Sequence, residues 1–171
     1  NGGMQVWQRA TAATAAAALF NTVDRYQFFE VTDGAYTSEK HAMSSAEINT
    51  TGHANALALN VTTADASISS GQYSYFKTSI EGQDLQHLQY GTVAAKDFTF
   101  SFWVKSKIAG TYCITFSKSV STSYLLIKEY TINDADTWEY KTITVTPHEG
   151  STTLITNSAG CFVNNPIISN C

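Results

Sequence analysis

The sequence predicts an all-β fold, a jelly-roll-like β-sandwich of two antiparallel sheets, from three observations. Thr is abundant and the chain holds nine Tyr and nine Phe, side chains that suit a pleated, half-buried surface better than a helix. Runs of period-two alternation recur every 10 to 20 residues, as in sandwiches whose connected strands cross between sheets. No stretch carries a convincing apolar stripe of helical period.

Along the chain, the Ala- and Thr-rich segment Ala10 to Phe20 lacks a strong apolar face and reads as a loop with one helical turn, so residues 1–22 are expected to be partly irregular. Val23 to Val31 is a predicted strand, with the pair Phe28-Phe29 breaking strict alternation as a bulge or a strand buried on both faces would. Thr32 to His53 is polar and reads as a long connection holding a short strand around Ala46 to Asn49. Asn55 to Val61 puts Leu57, Leu59 and Val61 on one face. In Gly71 to Ile80, Phe76 and Ile80 point inward while Tyr73, Tyr75 and Lys77 share the other face.

Asp84 to Leu88 reads as one short helical turn. Phe98 to Val104 is the cleanest alternation, sending Phe98, Phe100, Phe102 and Val104 inward. Burying three Phe on one strand contributes on the order of 5 kcal/mol of transfer free energy or more, before entropy is charged. Tyr112 to Phe116, Tyr124 to Ile132 and Trp138 to Thr146 complete the predicted strands, and the polar tail 160–171 is either an edge strand or unfixed. At 171 residues the whole chain, 1–171, fits one domain, since a core of this size buries roughly 70% of the unfolded surface.

Charged residues are only 14% of the chain, and the net charge of -4 comes with scattered Lys and Arg. Nothing resembles the basic stripe that a phosphate backbone demands, so no nucleic-acid partner is expected. The longest apolar run, Ala15 to Phe20, falls far short of the roughly 20 residues that span a bilayer, and no membrane insertion is expected. Cys113, Cys161 and Cys171 form an odd, sparse set without metal spacing; free thiols are the default over a Cys161–Cys171 bridge.

No active site is legible. His41, His53, His87 and His148 lie in loop-like segments, and no G-x-S-x-G elbow occurs. Glu81, Asp84, Asp97 and Glu139 could be combined into a carboxylate pair, but nothing favours one pair over another. Phosphate loops are absent, and no cofactor is expected. A structural calcium stays open, although no D-x-D-x-D-G loop appears. Trp103, Tyr73 and Tyr75 are the candidate ligand-binding residues, because they face away from the inward aromatics and sugar C–H patches pack on aromatic rings. The alternative is that they line a second packed face or a subunit interface.

Three stretches carry a family resemblance: Asn1-Gly2-Gly3-Met4-Gln5-Val6-Trp7-Gln8-Arg9, Ile80-Glu81-Gly82 through Gly91-Thr92 to Phe100-Ser101-Phe102-Trp103-Val104-Lys105-Ser106, and Asp136-Thr137-Trp138-Glu139-Tyr140-Lys141. Over about residues 1 to 145 the chain resembles bacteriophage tail-fibre and other virion-surface proteins whose domain looks like a carbohydrate-binding-module jelly roll. The resemblance implies a homo-oligomeric component of the virion surface, assembled in the host cytoplasm, whose partners are other virion proteins or a host glycan. It also implies a closing strand after a Gly-rich loop. Residues 160–171 are expected to lack it, leaving an edge for a neighbouring chain to complete.

Overall fold

The computed structural model of the chain describes residues 1–14, 22–89, 94–118, 124–146 and 161–168. It is all-β, with antiparallel pairing throughout the registered strands. The chain divides into two compact units, one made of Asn1–Lys77 with Pro166–Ser169 and the other of Thr78–Asn165 with Asn170–Cys171.

In the first unit, β1 (Ala12–Thr14), β2 (Tyr26–Val31), β3 (Ala35–Ala42), a single helix α1 (Ser45–Thr51), β4 (Asn55–Thr63) and the start of β5 (Tyr73–Ile80) follow in order. β3 lies between β1 and β4, and β2 lies beside β5. The strand β1 replaces the loop expected over Ala10 to Phe20, of which residues 15–20 lie outside the described ones. Its small side chains define no face, but its backbone finds partners along Thr37, Ser38 and Glu39, and pairing alone makes it a strand.

The connection expected over Thr32 to His53 is the larger correction. Ala35–Ala42 forms β3, and the strand expected around Ala46 to Asn49 is helix α1 instead. Ser44 and Glu47 make a reciprocal capping box: Glu47 N–H donates to Ser44 Oγ, and the Ser44 N–H donates to the Glu47 carboxylate. Two helix-terminal donors are thereby satisfied, and this outweighs the weak strand preference of a four-residue window. Gly52 ends the helix at φ 74°, a left-handed cap that disfavours other residues.

The pair Phe28-Phe29 is covered on both faces of its strand, the second of the two expected arrangements. Alternation continues through it, with Phe28 buried beside Tyr36 and Phe29 stacked on Tyr75 across the other face. Gly34 is required at the next turn, because a Cβ there would come within 2.9 Å of the Thr63 carbonyl oxygen.

In the second unit the 3₁₀ turn Gly82–Leu88 precedes β6 (Phe98–Val104), β7 (Gly110–Lys118), β8 (Tyr124–Ile132), β9 (Glu139–Val145) and the start of β10 (Cys161–Ile168). β6 pairs with β9, and β7 is flanked by β8 and β10. The C-terminal segment thus does supply a strand, against the expectation that residues 160–171 lack it. Cys161 to Asn164 register with Lys118 to Thr115. Cys113 is a buried thiol on β7, in no disulfide, and the side chains of Cys161 and Cys171 lie outside the described ones.

The core of this unit is Leu85, Ile114, Phe116, Tyr130, Ile132, Ile143 and Val145, with Phe98, Phe100 and Phe102 packed against it. Phe116 meets Phe98 and Phe100 edge-on at 5.4 and 6.0 Å, and Tyr130 meets Phe102 at 5.1 Å. Edge-to-face pairs are worth about 0.5–1.5 kcal/mol each beyond their burial. Phe116 is fully buried at 0% exposure, so Phe116→Ala should destabilise by about 3–5 kcal/mol. Ile127→Ala, at a 56% exposed position on β8, should cost less than about 0.5 kcal/mol. Denaturant unfolding of the two variants checks the contrast.

Candidate functional site

The outward face of the β6–β9 pair follows from its register. Phe98, Phe100 and Phe102 pair with Val145, Ile143 and Lys141, and all six turn toward the core side. The intervening residues therefore turn outward in three rows: Thr99 with Thr144, Ser101 with Thr142, and Trp103 with Tyr140. Thr99, Ser101, Thr142 and Thr144 are exposed, Tyr140 is 54% exposed and Trp103 is half-buried. The Trp103 and Tyr140 rings lie 5.2 Å apart at 52°, so neither covers the other's face completely. Thr99 and Thr144 share a hydroxyl hydrogen bond of 3.1 Å. At the aromatic end Lys105 places its ammonium 5.1 Å from the Trp138 ring centre.

The aromatic end of this face, where Val104 pairs with Glu139, is anchored on both strands. Where β9 begins, the Glu139 carboxylate accepts the N–H groups of Asn133 and Asp134 at 2.8 and 2.9 Å, the Asn133 side-chain amide at 2.9 Å and Lys141 Nζ at 2.5 Å. The hydrogen bond from the Asp134 backbone, followed by that from Lys141, holds its pKa down to about 2. Where β6 ends, the Ser106 carbonyl accepts the Asp136 N–H at 2.7 Å, and Ser106 Oγ meets the Tyr112 hydroxyl at 2.8 Å. Asp136 takes a left-handed φ of 55° there, and the turn that delivers Trp138 is fixed from both sides.

Tyr73 and Tyr75 belong to the other unit, and the structure gives them different company from Trp103. Tyr75 stacks between Phe29 at 5.2 Å and Tyr73 at 5.5 Å, with interplanar angles of 21° and 24°, and Lys77 Nζ sits 4.5 Å from the Phe29 ring centre. Ring faces stacked on one another are not available to a ligand. Tyr73, 45% exposed, ends the row. Burial raises the Tyr75 pKa and lowers that of Lys77. This ladder works mainly as a cross-strand staple between β2 and β5. Trp103 gains the neighbour Tyr140, and Lys105 sits over Trp138 just beyond that row, none of which sequence alternation singled out. The signal was present, since Trp138 and Tyr140 alternate outward in the same strand-like run.

Of the groups considered for catalysis, Glu139 closes a turn and His41 meets the capping residue Glu47. His41 lies on β3 and His87 in the 3₁₀ turn, both in regular structure instead of the loops expected, while His148 lies outside the described residues. His41 Nε2 is 3.3 Å from both Glu47 carboxylate oxygens, and the Ser44 hydroxyl donates to Glu47 at 2.9 Å. The acid thus sits between Ser and His, which is not the Ser–His–acid order of a nucleophilic triad. Glu139 is held as a permanent carboxylate, the reverse of what a general acid requires. Among the described residues no three His, Cys, Asp or Glu side chains gather as a metal site, and no helix is long and apolar enough to cross a membrane. On the outward β6–β9 face itself stand no carboxylates, only aromatic rings, hydroxyls and one ammonium. Such a surface can pack against the C–H face of a sugar and hydrogen-bond its hydroxyls.

The Glu139 anchor gives a pH signature. Its folded pKa lies below the unfolded value, so its contribution is fully present above about pH 4.5 and is lost as pH falls toward about 2. The melting temperature of the wild type should fall through that window, whereas Glu139→Gln should start lower and show a flatter acid limb. Equal acid limbs in the two melting series would contradict the anchor. Compared with protein-family models, with curated proteins and with solved structures, the chain matches none.

Proposed function

We propose that the chain is a non-catalytic component of a bacteriophage virion, a tail-fibre or surface-decoration protein that attaches the particle to a host-surface glycan. The fold is taken as a carbohydrate-binding-like jelly roll, on the strength of its antiparallel strands and the resemblance carried by Phe100 to Ser106 and Asp136 to Lys141. The observation that carries the function is the outward pair Trp103 and Tyr140, continued by two rows of Ser and Thr hydroxyls. Aromatic faces supply apolar contact to sugar rings, and the hydroxyl rows exchange hydrogen bonds with sugar hydroxyls without the desolvation cost of a charge. The partners are then a host glycan and other virion proteins. Neither nucleic acid nor a membrane enters this function, and the protein works at the virion surface.

A purely structural role is the second reading, in which the domain joins capsid or tail parts without binding sugar. The 14% charge content and the abundance of Ser and Thr favour it, because such surfaces pack against other proteins at little desolvation cost. A glycan array separates the two. The glycan-attachment reading expects wild-type signal on a defined set of host saccharides and a loss of about tenfold or more in affinity for Trp103→Ala, corresponding to about 1.4 kcal/mol or more. No wild-type signal above the Trp103→Ala background leaves the structural role.

A further inference from the structure

We propose that the Glu30 carboxyl is a proton site inside the first unit, and that the proton it binds is donated to Ser74 Oγ across the β2–β5 pair. Phe29 stacks on Tyr75, and Tyr26 meets Phe76 at 6.0 Å. Tyr26 precedes Phe29 whereas Phe76 follows Tyr75, so the two strands run antiparallel. Alternation then turns Glu30 and Ser74 to the face that carries Tyr26, Phe28 and Phe76, each one position on from the stacked pair, where they stand opposite or diagonal to one another. Glu30 Oε2 and Ser74 Oγ are both buried and neither makes a hydrogen bond; among the described residues these are the two side-chain polar atoms in that state. Ser74 as a whole is only 3% exposed.

A buried polar atom without a partner costs free energy, and a carboxylate costs more than a hydroxyl, so a buried acid without a counter-charge takes up a proton instead. The groups around Glu30 favour that neutral form. Phe28 on its own strand is buried against Tyr36 of β3. Glu30 and Asp65 both push the Tyr36 pKa up, which puts two acids about one buried phenol. Asp65 stays charged, since hydrogen bonds from Thr32, Ser67 and Asp33 hold its pKa down. Arg25 acts on Tyr26 at the start of β2, and Lys77 of β5 lies on the opposite face over Phe29. Burial raises the Glu30 pKa accordingly. A single O–H on Glu30 Oε2 satisfies both orphaned atoms, because the serine hydroxyl can accept it.

The sign is opposite to that of Glu139. The folded pKa of Glu30 lies above the unfolded value, so its contribution is fully present below about pH 4.5 and is lost as pH rises through the folded value. Acid therefore tightens the β2–β5 pair of the first unit while it loosens the Glu139 anchor of the second.

Carbon-13 NMR titration of the side-chain carboxyls in the full chain reads Glu30 directly. Glu30 should titrate above 4.5, and Ser74→Ala should move that titration down, because the protonated form loses its acceptor. Glu30→Gln keeps a donor at every pH, so its melting temperature relative to wild type should climb from pH 4 to pH 8. A Glu30 titration at or below 4.5 overturns the assignment, and so does a melting difference that stays constant with pH. An upward move in Ser74→Ala also overturns it, since the serine would then be donating to a carboxylate. Should either variant fail to fold, the wild-type Ser74 amide signal decides: a shift that follows the Glu30 titration supports the bond, and a signal indifferent to it refutes the bond.

Discussion

The register of β6 against β9 is the constraint on which the second unit depends. Because side chains alternate with period two, pairing Phe100 with Ile143 sends three Phe to one side and Thr99, Ser101 and Trp103 to the other. A slip by one residue would exchange the two sets, exposing Phe98, Phe100 and Phe102 and burying hydroxyls without partners. The edge-on contacts of Phe116 with Phe98 and Phe100 make that slip costly. Core packing and the outward aromatic-hydroxyl face are two consequences of one alignment, so the surface inherits the rigidity of the interior.

Contacts at the end of the pair where Val104 meets Glu139 reinforce it. Glu139 is drawn inward to close the turn before β9, and Ser106 closes the loop after β6. The two clusters of exposed aromatics differ in what their rings do. In the Phe29, Tyr75, Tyr73 row near-parallel rings spend their faces on one another, whereas Trp103 and Tyr140 meet at 52°. Chemical similarity at the level of sequence thus resolves into a stacked staple in one unit and a tilted, more open pair in the other.

What was legible beforehand follows from how much apolar signal each segment carries. Phe98–Val104 and Tyr124–Ile132 form strands with the predicted bounds, since large apolar residues at alternating positions leave one favourable arrangement. Trp103, Tyr73 and Tyr75 point away from the neighbouring core residues as alternation requires. β3 was missed because Tyr36 is its only large apolar inward residue, and the inward Ser38 is satisfied by tertiary contact with Thr22. Helix α1 was legible in principle from Ser44, Glu47 and Gly52, whose capping pattern a reading based on strand alternation passes over. The ring geometries that separate the stacked row from the tilted pair arise between strands distant in the chain and have no local signature.

The proposed function puts a glycan on the outward β6–β9 face, and the three tryptophans report on it directly. Trp103 and Trp138 stand at the aromatic end of that face, while the Trp7 indole N–H is donated to the Met4 carbonyl at 2.5 Å in the other unit. Titration of the isotope-labelled chain with host-surface polysaccharide should shift the indole N–H signals of Trp103 and Trp138 in NMR spectra and leave that of Trp7 in place. Unmoved Trp103 and Trp138 signals at saturating polysaccharide, or a shift confined to Trp7, would contradict the account.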